Sequence, residues 1–263
     1  MKQKEAIILF VFLISMSSAF CQKGFQNLKD YDYEQYHFGF LLGYNKMGFS
    51  INVDESKLNL PNTGLHDPYS PTDFGGMPGQ TAFLKSAEPK YTAGFTIGII
   101  GNLRLTEHFD LRIIPALSFG ERNITYNYLL KDPTDPDLDD IEPKSMKSTL
   151  LELPLHLKYK GNRINNARPY ILAGIKYARD LSSDAKKSTQ NLNDDLLLVK
   201  LKQDDLYGEL GAGFDFYFDW FKMGLEAKMS YGFNNMIVRD NKMYTTSINR
   251  LNSKIFQLSV TFE

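Results

Sequence analysis

The stretch LLELPLHLKYK (150–160) places Glu152, His156 and Lys158 on one parity, alternating with Leu151, Leu153, Leu155, Leu157 and Tyr159. A histidine flanked by a carboxylate and an amine is a candidate general base. Other alternating segments carry full charges in the same way: Arg104, Arg112, Arg122, Lys176, Glu209, Asp215, Glu226 and Lys228. Such a set suits acid–base catalysis, a charge-lined conduit, or a lattice of mutually neutralising charges. No segment sets a nucleophile beside a base and an orienting acid. The lattice is the favoured reading. Its members are Arg112, Arg122, Glu152, His156, Lys158, Glu209, Asp215, Glu226 and Lys228, each needing a partner once removed from water. A lipid-modifying enzyme built on His156 is the alternative.

Metal and cofactor chemistry find less support. His37, His66 and His108 are scattered, and Cys21 is the only cysteine, which leaves no zinc cluster. In KDPTDPDLDDIEPK (131–144), Asp135, Asp137 and Asp139 have the one-three-five spacing of a calcium loop. The sixth position is Asp140 rather than Gly and the twelfth is Met146 rather than Glu, so a solvated external loop is the better reading. The expectation is a chain with no catalytic, metal or cofactor residues.

The charges must be positioned by strands. Phe38, Phe40, Leu42 and Tyr44 alternate with polar or small residues over 36–45. The same period of two runs through 91–105, 109–128, 150–160, 168–181, 206–220, 221–235 and 254–263. One side of each is apolar, the other charged or small. Helix signals are nearly absent, although 194–201 is compatible with one turn or a strand extension. The connections alternate in length: 46–90, 131–147, 182–203 and 235–253 are long, whereas 106–108, 161–167 and the break near Trp220 are short. This pattern predicts an all-β fold, an eight-stranded antiparallel up-and-down transmembrane barrel with long external loops and short periplasmic turns. The apolar face would meet lipid and the charged face would fill a lumen too narrow to conduct solutes. A soluble barrel with inverted faces shares the period, but the loop asymmetry, the charged polar face and the near-terminal Phe262 favour lipid.

The bulk composition agrees. Lys and Arg total 30 against 31 Asp and Glu, so there is no basic footprint for nucleic acid. Aromatics reach 13%, as strands and interfacial girdles require. Residues 1–21 read as a secretory signal: Lys2 and Lys4, the short apolar run AIILFVFLI, then small residues before Cys21. Acylation of Cys21 is a weaker alternative because Phe20 precedes it. The expected organisation is a signal peptide (1–21), a short periplasmic segment (22–35) and the barrel (36–263). The segment 46–90 carries Phe74, Met77, Phe83 and Leu84, and its length suggests a partner-facing loop.

FGFLLGYNKMGFSI (38–51) resembles the first strand of the PorT family, barrel proteins of the type IX secretion system of Bacteroidota. FDLRIIPALSFGERNITY (109–126), STLLELPLHLKYKGNRINNARPYILAGIKY (148–177) and NRLNSKIFQLSVTFE (249–263) are similar to that family as well. The resemblance implies an outer-membrane protein required to export cargo with C-terminal sorting domains, including proteases and gliding adhesins; the barrel itself is expected to be a monomer. It implies action through other secretion components or cargo, not as the pore, and names no catalytic residue. A general structural or adhesive barrel is the competing reading.

Overall fold

Nine β-segments hydrogen-bond in one antiparallel sheet that closes on itself. The computed structural model describes residues 26–54, 81–131, 138–182, 201–238 and 248–263. The segments are β1 (Tyr36–Val53), β2 (Thr81–Arg104), β3 (Phe109–Ile113), β4 (Ala116–Lys131), β5 (Leu138–Lys160), β6 (Ala167–Asp180), β7 (Asp204–Tyr217), β8 (Lys222–Gly232) and β9 (Ile248–Phe262). Sequence neighbours pair all round except β3 and β4, which do not pair with each other, and β1 meets β9 to shut the ring.

The ring has eight staves. β3 and β4 both lie between β2 and β5 and form one strand broken at Ile114–Pro115. Proline has no N–H to give the ladder. Pro115 O still accepts from Ile99 N at 3.0 Å, and Ile114 N donates to Pro154 O at 3.4 Å, so the wall stays closed through the break. The break spans two residues, so side-chain parity carries across it unchanged.

The outward face is apolar. Phe38, Phe40, Leu42, Phe95, Ile99, Leu155, Ile171, Leu210, Leu225 and Leu258 are all exposed. Aromatic residues near the short-turn ends, such as Phe38, Phe109, Phe218 and Trp220, border an aliphatic band. Tyr44, Phe95, Tyr177, Tyr231 and Phe256 border it on the other side. This is the girdled belt of a lipid-facing wall, which the soluble reading with inverted faces does not produce.

Beyond that belt the polarity inverts. On β1 the outward positions change from Phe40, Leu42 and Tyr44 to Lys46 and Asn52, while Met47 and Phe49 turn inward with no exposure. On β4 the outward Leu117 and Phe119 give way to Glu121 and Asn123, and Ile124 and Tyr126 are buried inside. From Tyr36 to Lys46 the strand climbs roughly 33 Å at ~3.3 Å per residue. A tilt of about 40° brings that to ~25 Å, the height of an outer-membrane apolar band. The inversion therefore marks where lipid ends and water begins.

The extension past this boundary corrects the expected connections. Residues 46–53 and 81–90 are strand, so both ends of the predicted loop 46–90 belong to the ladder, Phe83 and Leu84 belong to β2, and 55–80 lie outside the described residues. The acidic segment is also mostly ladder, with Asp139 and Asp140 opposite Leu129 and Tyr128. Asp135, Asp137, His66, Phe74, Met77, the signal segment and nearly all of 194–201 lie outside the described residues. β9 begins at Ile248 rather than near 254. The ladders run on because the projecting strands bury an apolar core among themselves: Phe49, Ile124, Tyr126, Ile248 and Leu251, closed over by Leu201, Met236 and Ile237. The Leu201–Ile237 bridge ties that lid together.

Two substitutions test the boundary. Leu225→Arg, within the aliphatic band, should cost about 2–4 kcal/mol of folding free energy. Asn52→Arg, exposed above the inversion, should change it by under about 0.5 kcal/mol. Reversible denaturant titration in lipid vesicles measures both, and equal costs would misplace the membrane edge.

Candidate functional site: the barrel interior

Alternation sends every second residue of each strand inward, so the charged parity of the sequence converges on the barrel axis. Glu209 of β7 is the hub. It lies 2.5 Å from His156 Nε2, 3.2 Å from Lys176 Nζ and 3.5 Å from Lys228 Nζ, and it accepts a hydrogen bond from Ser230 Oγ. Lys176 also reaches Glu152 at 3.0 Å and sits 4.7 Å from the centre of the Tyr207 ring.

Toward the short-turn end, Arg112 donates to Glu226 at 2.7 Å and faces Glu263 at 3.7 Å. Lys222 holds the same Glu263 at 2.7 Å. Lys158 pairs with Asp215 at 2.6 Å and lies 3.7 Å above the Tyr170 ring, whose hydroxyl donates to Glu226. Tyr170 fits because Gly213 faces it: a Cβ there would stand 2.6 Å from the phenol oxygen. Toward the other end, Arg122 pairs with Asp180 and donates to Ser148 and Ser253, with its guanidinium 5.2 Å from the Phe49 ring centre.

All nine residues singled out in the sequence thus point into the lumen, and all nine pair with a charge of opposite sign or, for His156, with a carboxylate that already faces two lysines. The partner of Arg122 is Asp180, which the sequence reading did not include. Asp110, Lys160, Lys222 and Glu263 were missed as well. Asp110 and Lys160 pair at 2.6 Å. Their signal was present, since Asp110 shares the parity of Arg112 and Lys160 that of Lys158. Arg104 departs from the inward set. It sits on the rim, donating to Tyr33 O at 3.2 Å.

The arrangement does not favour chemistry. Arg112, Arg122, His156 and Lys176 have no solvent exposure. Ser230 and His156 both bond to the Glu209 carboxylate, so the serine is not activated by the histidine as a nucleophile requires. Among the described residues no group of three His, Cys, Asp or Glu could hold a metal. His108 Nδ1 is satisfied by Lys160 O at 3.1 Å.

The segment before β1 is a finding the sequence did not foretell. A 3-10 turn, Tyr31–Tyr33, folds across the short-turn mouth. Tyr31 stacks on His37 at 4.0 Å between ring centres, and its hydroxyl reaches Glu263. Asp32 accepts from Tyr217 at 2.8 Å and faces Arg168 at 3.1 Å and Arg163 at 3.6 Å. Arg163 also donates to the Asn27 carbonyl and stacks 3.7 Å from the Tyr217 ring centre. Burial raises the Tyr31 phenol. Burial would also raise the Asp32 carboxyl, but the Tyr217 hydrogen bond and the Arg168, Lys160 and Arg163 charges outweigh it, leaving it below its ordinary 3.8.

Two measurements follow from this geometry. Glu209→Gln leaves His156 and Lys228 without their carboxylate and Lys176 with Glu152 alone, and should cost about 3–5 kcal/mol in denaturant titration, as breaking a buried pair does. A depressed carboxyl contributes stability above its unfolded pKa and loses it as pH falls through the folded one. A nitroxide label on Lys29→Cys should therefore stay immobile at neutral pH and become mobile only below about pH 4. Asp32→Asn should mobilise it at pH 7, and a label indifferent to both changes would separate Asp32 from the plug.

The chain resembles the solved structures of the outer membrane protein OprG from Pseudomonas aeruginosa (12% identity, TM-score 0.40, covering 87% of this chain and 95% of that one) and of Neisserial surface protein A (11%, 0.41, 87% and 98%). It also resembles Ail, the attachment invasion locus protein of Yersinia pestis (10%, 0.35, 87% and 98%). No curated protein matches it. The model of the outer membrane protein beta-barrel domain matches residues 26–238, and the chain belongs to that outer-membrane family.

Proposed function

We propose that this outer-membrane barrel is an accessory component of type IX protein secretion, serving the export of cargo with C-terminal sorting domains through its surfaces and not as the conduit. The observation that carries the second half of this reading is the sealed lumen. Residues 26–35 cross the periplasmic mouth, paired charges fill the middle, and the Phe49–Leu251 cluster closes the external end. A barrel sealed at three levels has only its lipid-facing wall, rim and external connections with which to act. The secretion role itself rests on the resemblance of 38–51, 109–126, 148–177 and 249–263 to the PorT family. The partners are other secretion components or cargo, reached through the external connections, with the barrel itself a monomer.

No catalytic role is proposed. His156 is fully enclosed and held by Glu209, out of reach of a lipid headgroup.

Deleting the gene should leave cargo proteins accumulating in the periplasm, read by immunoblotting fractionated cells, and His156→Phe expressed in trans should restore export if it folds. Wild-type export in the deletion strain would instead leave a general structural or adhesive barrel. A folded His156→Phe protein that fails to restore export, or lipid A altered by the deletion, would reopen an enzymatic role.

A further inference from the structure

We propose that the lipid-facing wall formed by β6–β9 and β1 binds one outer-leaflet glycolipid of the lipid A type, with an acyl chain in a groove and a phosphate at Lys46 and Lys254. The groove has a local cause. One register row crosses five strands as Ile171, Ala212, Ala227, Leu258 and Tyr44. Two alanines in the middle of a row of large side chains leave a dip. It measures about 650 Å³, and an adjoining hollow of about 800 Å³ shares all five residues. Its surroundings are hydrocarbon, so an acyl chain is the filler that the medium supplies.

The external end of the groove is cationic. Lys46 lines it, at the level where β1 changes from lipid-facing to water-facing residues. Lys46 is opposite Phe256 on β9, and Lys254 is two residues further along that strand on the same face. Diagonal neighbours of this kind stand roughly 7–8 Å apart, close enough for one phosphate to meet both ammonium groups. Lys254 rests 5.1 Å from the Phe256 ring centre. Exposed Lys46 has no ion pair or hydrogen bond among the described residues, whereas Arg179, also outward-facing beyond the aromatic belt, faces Asp204 at 3.8 Å. An unpaired cation at the edge of an apolar groove complements a lipid with anionic head and acyl tail. The long connections put this edge in the outer leaflet, where the phosphorylated glycolipid resides.

Native mass spectrometry of the full barrel in detergent tests this with two probes, bisphosphorylated lipid A and phosphatidylglycerol. Wild type should retain lipid A about tenfold more tightly than phosphatidylglycerol, and Lys46→Gln/Lys254→Gln should lose that preference. Ala227→Phe, which fills the dip, should weaken both lipids, and Lys29→Gln at the opposite end should change neither. Heat-modifiable migration confirms that each variant is folded. Equal retention of the two lipids by wild type, undiminished lipid A binding in the double variant, or a protein dimer displacing lipid from the groove would each overturn the assignment. None of these outcomes depends on a role in secretion.

Discussion

Hydrocarbon offers no hydrogen bonds, and every backbone N–H and C=O within it must be met by the chain itself. A sheet does this only by closing, and the β1–β9 ladder from Phe40–Phe262 upward is where this one closes. Ring closure fixes the rest. It gives each strand one face toward lipid and one toward a narrow lumen, and eight staves leave that lumen room only for side chains. Charges sent inward cannot be hydrated, so they must find each other. Glu209 meeting His156, Lys176 and Lys228 is a consequence of closure as much as of sequence.

The interior is layered. Its centre holds ion pairs, whose net contribution to stability is small although breaking one is costly. Its external end is an ordinary apolar core surrounded by water-facing strands, and its periplasmic end is shut by a segment that contributes no strand. The change from ionic to apolar filling follows the change of solvent outside. Within the membrane the wall spends its apolar residues on lipid and turns polar ones inward. Above the membrane the same strands do the reverse, as Met47 and Phe49 show against Lys46. On β1 one continuous strand thus obeys two opposite patterns with parity kept, whereas the β2–β4 ladder shifts register between Tyr91 and Phe95 and again between Leu84 and Ser86.

That switch explains where sequence reading stopped short. Phe38 to Tyr44 and Leu151 to Tyr159 keep one polarity throughout and could be placed from alternation alone. In MGFSINV (47–53) the apolar residues occupy the other parity, so a search for one fixed oily face ends the strand at residue 45 and assigns a loop. The acidic segment after Lys131 was misplaced for the same reason, since Asp139 and Asp140 stand in a ladder whose outside is water. The periplasmic plug has no periodic signal at all. Tyr31 and Asp32 are ordinary residues in a short polar segment until the ring brings Tyr217, Arg163 and Arg168 to the mouth.

The sequence by itself determined the fold class, the direction in which each spanning side chain points, and the end of the barrel that carries long connections. These depend on a period of two and on segment lengths, which are local properties of the chain. Only the tertiary structure decided which charges pair, how the lumen is sealed, and where alanines leave a groove in the wall. Arg112 and Glu226 stand 114 positions apart, and Ala212 meets Ala227 only through the β7–β8 register. Such contacts depend on how far each strand is staggered against the next around a closed ring, and no single strand carries that quantity in its own residues.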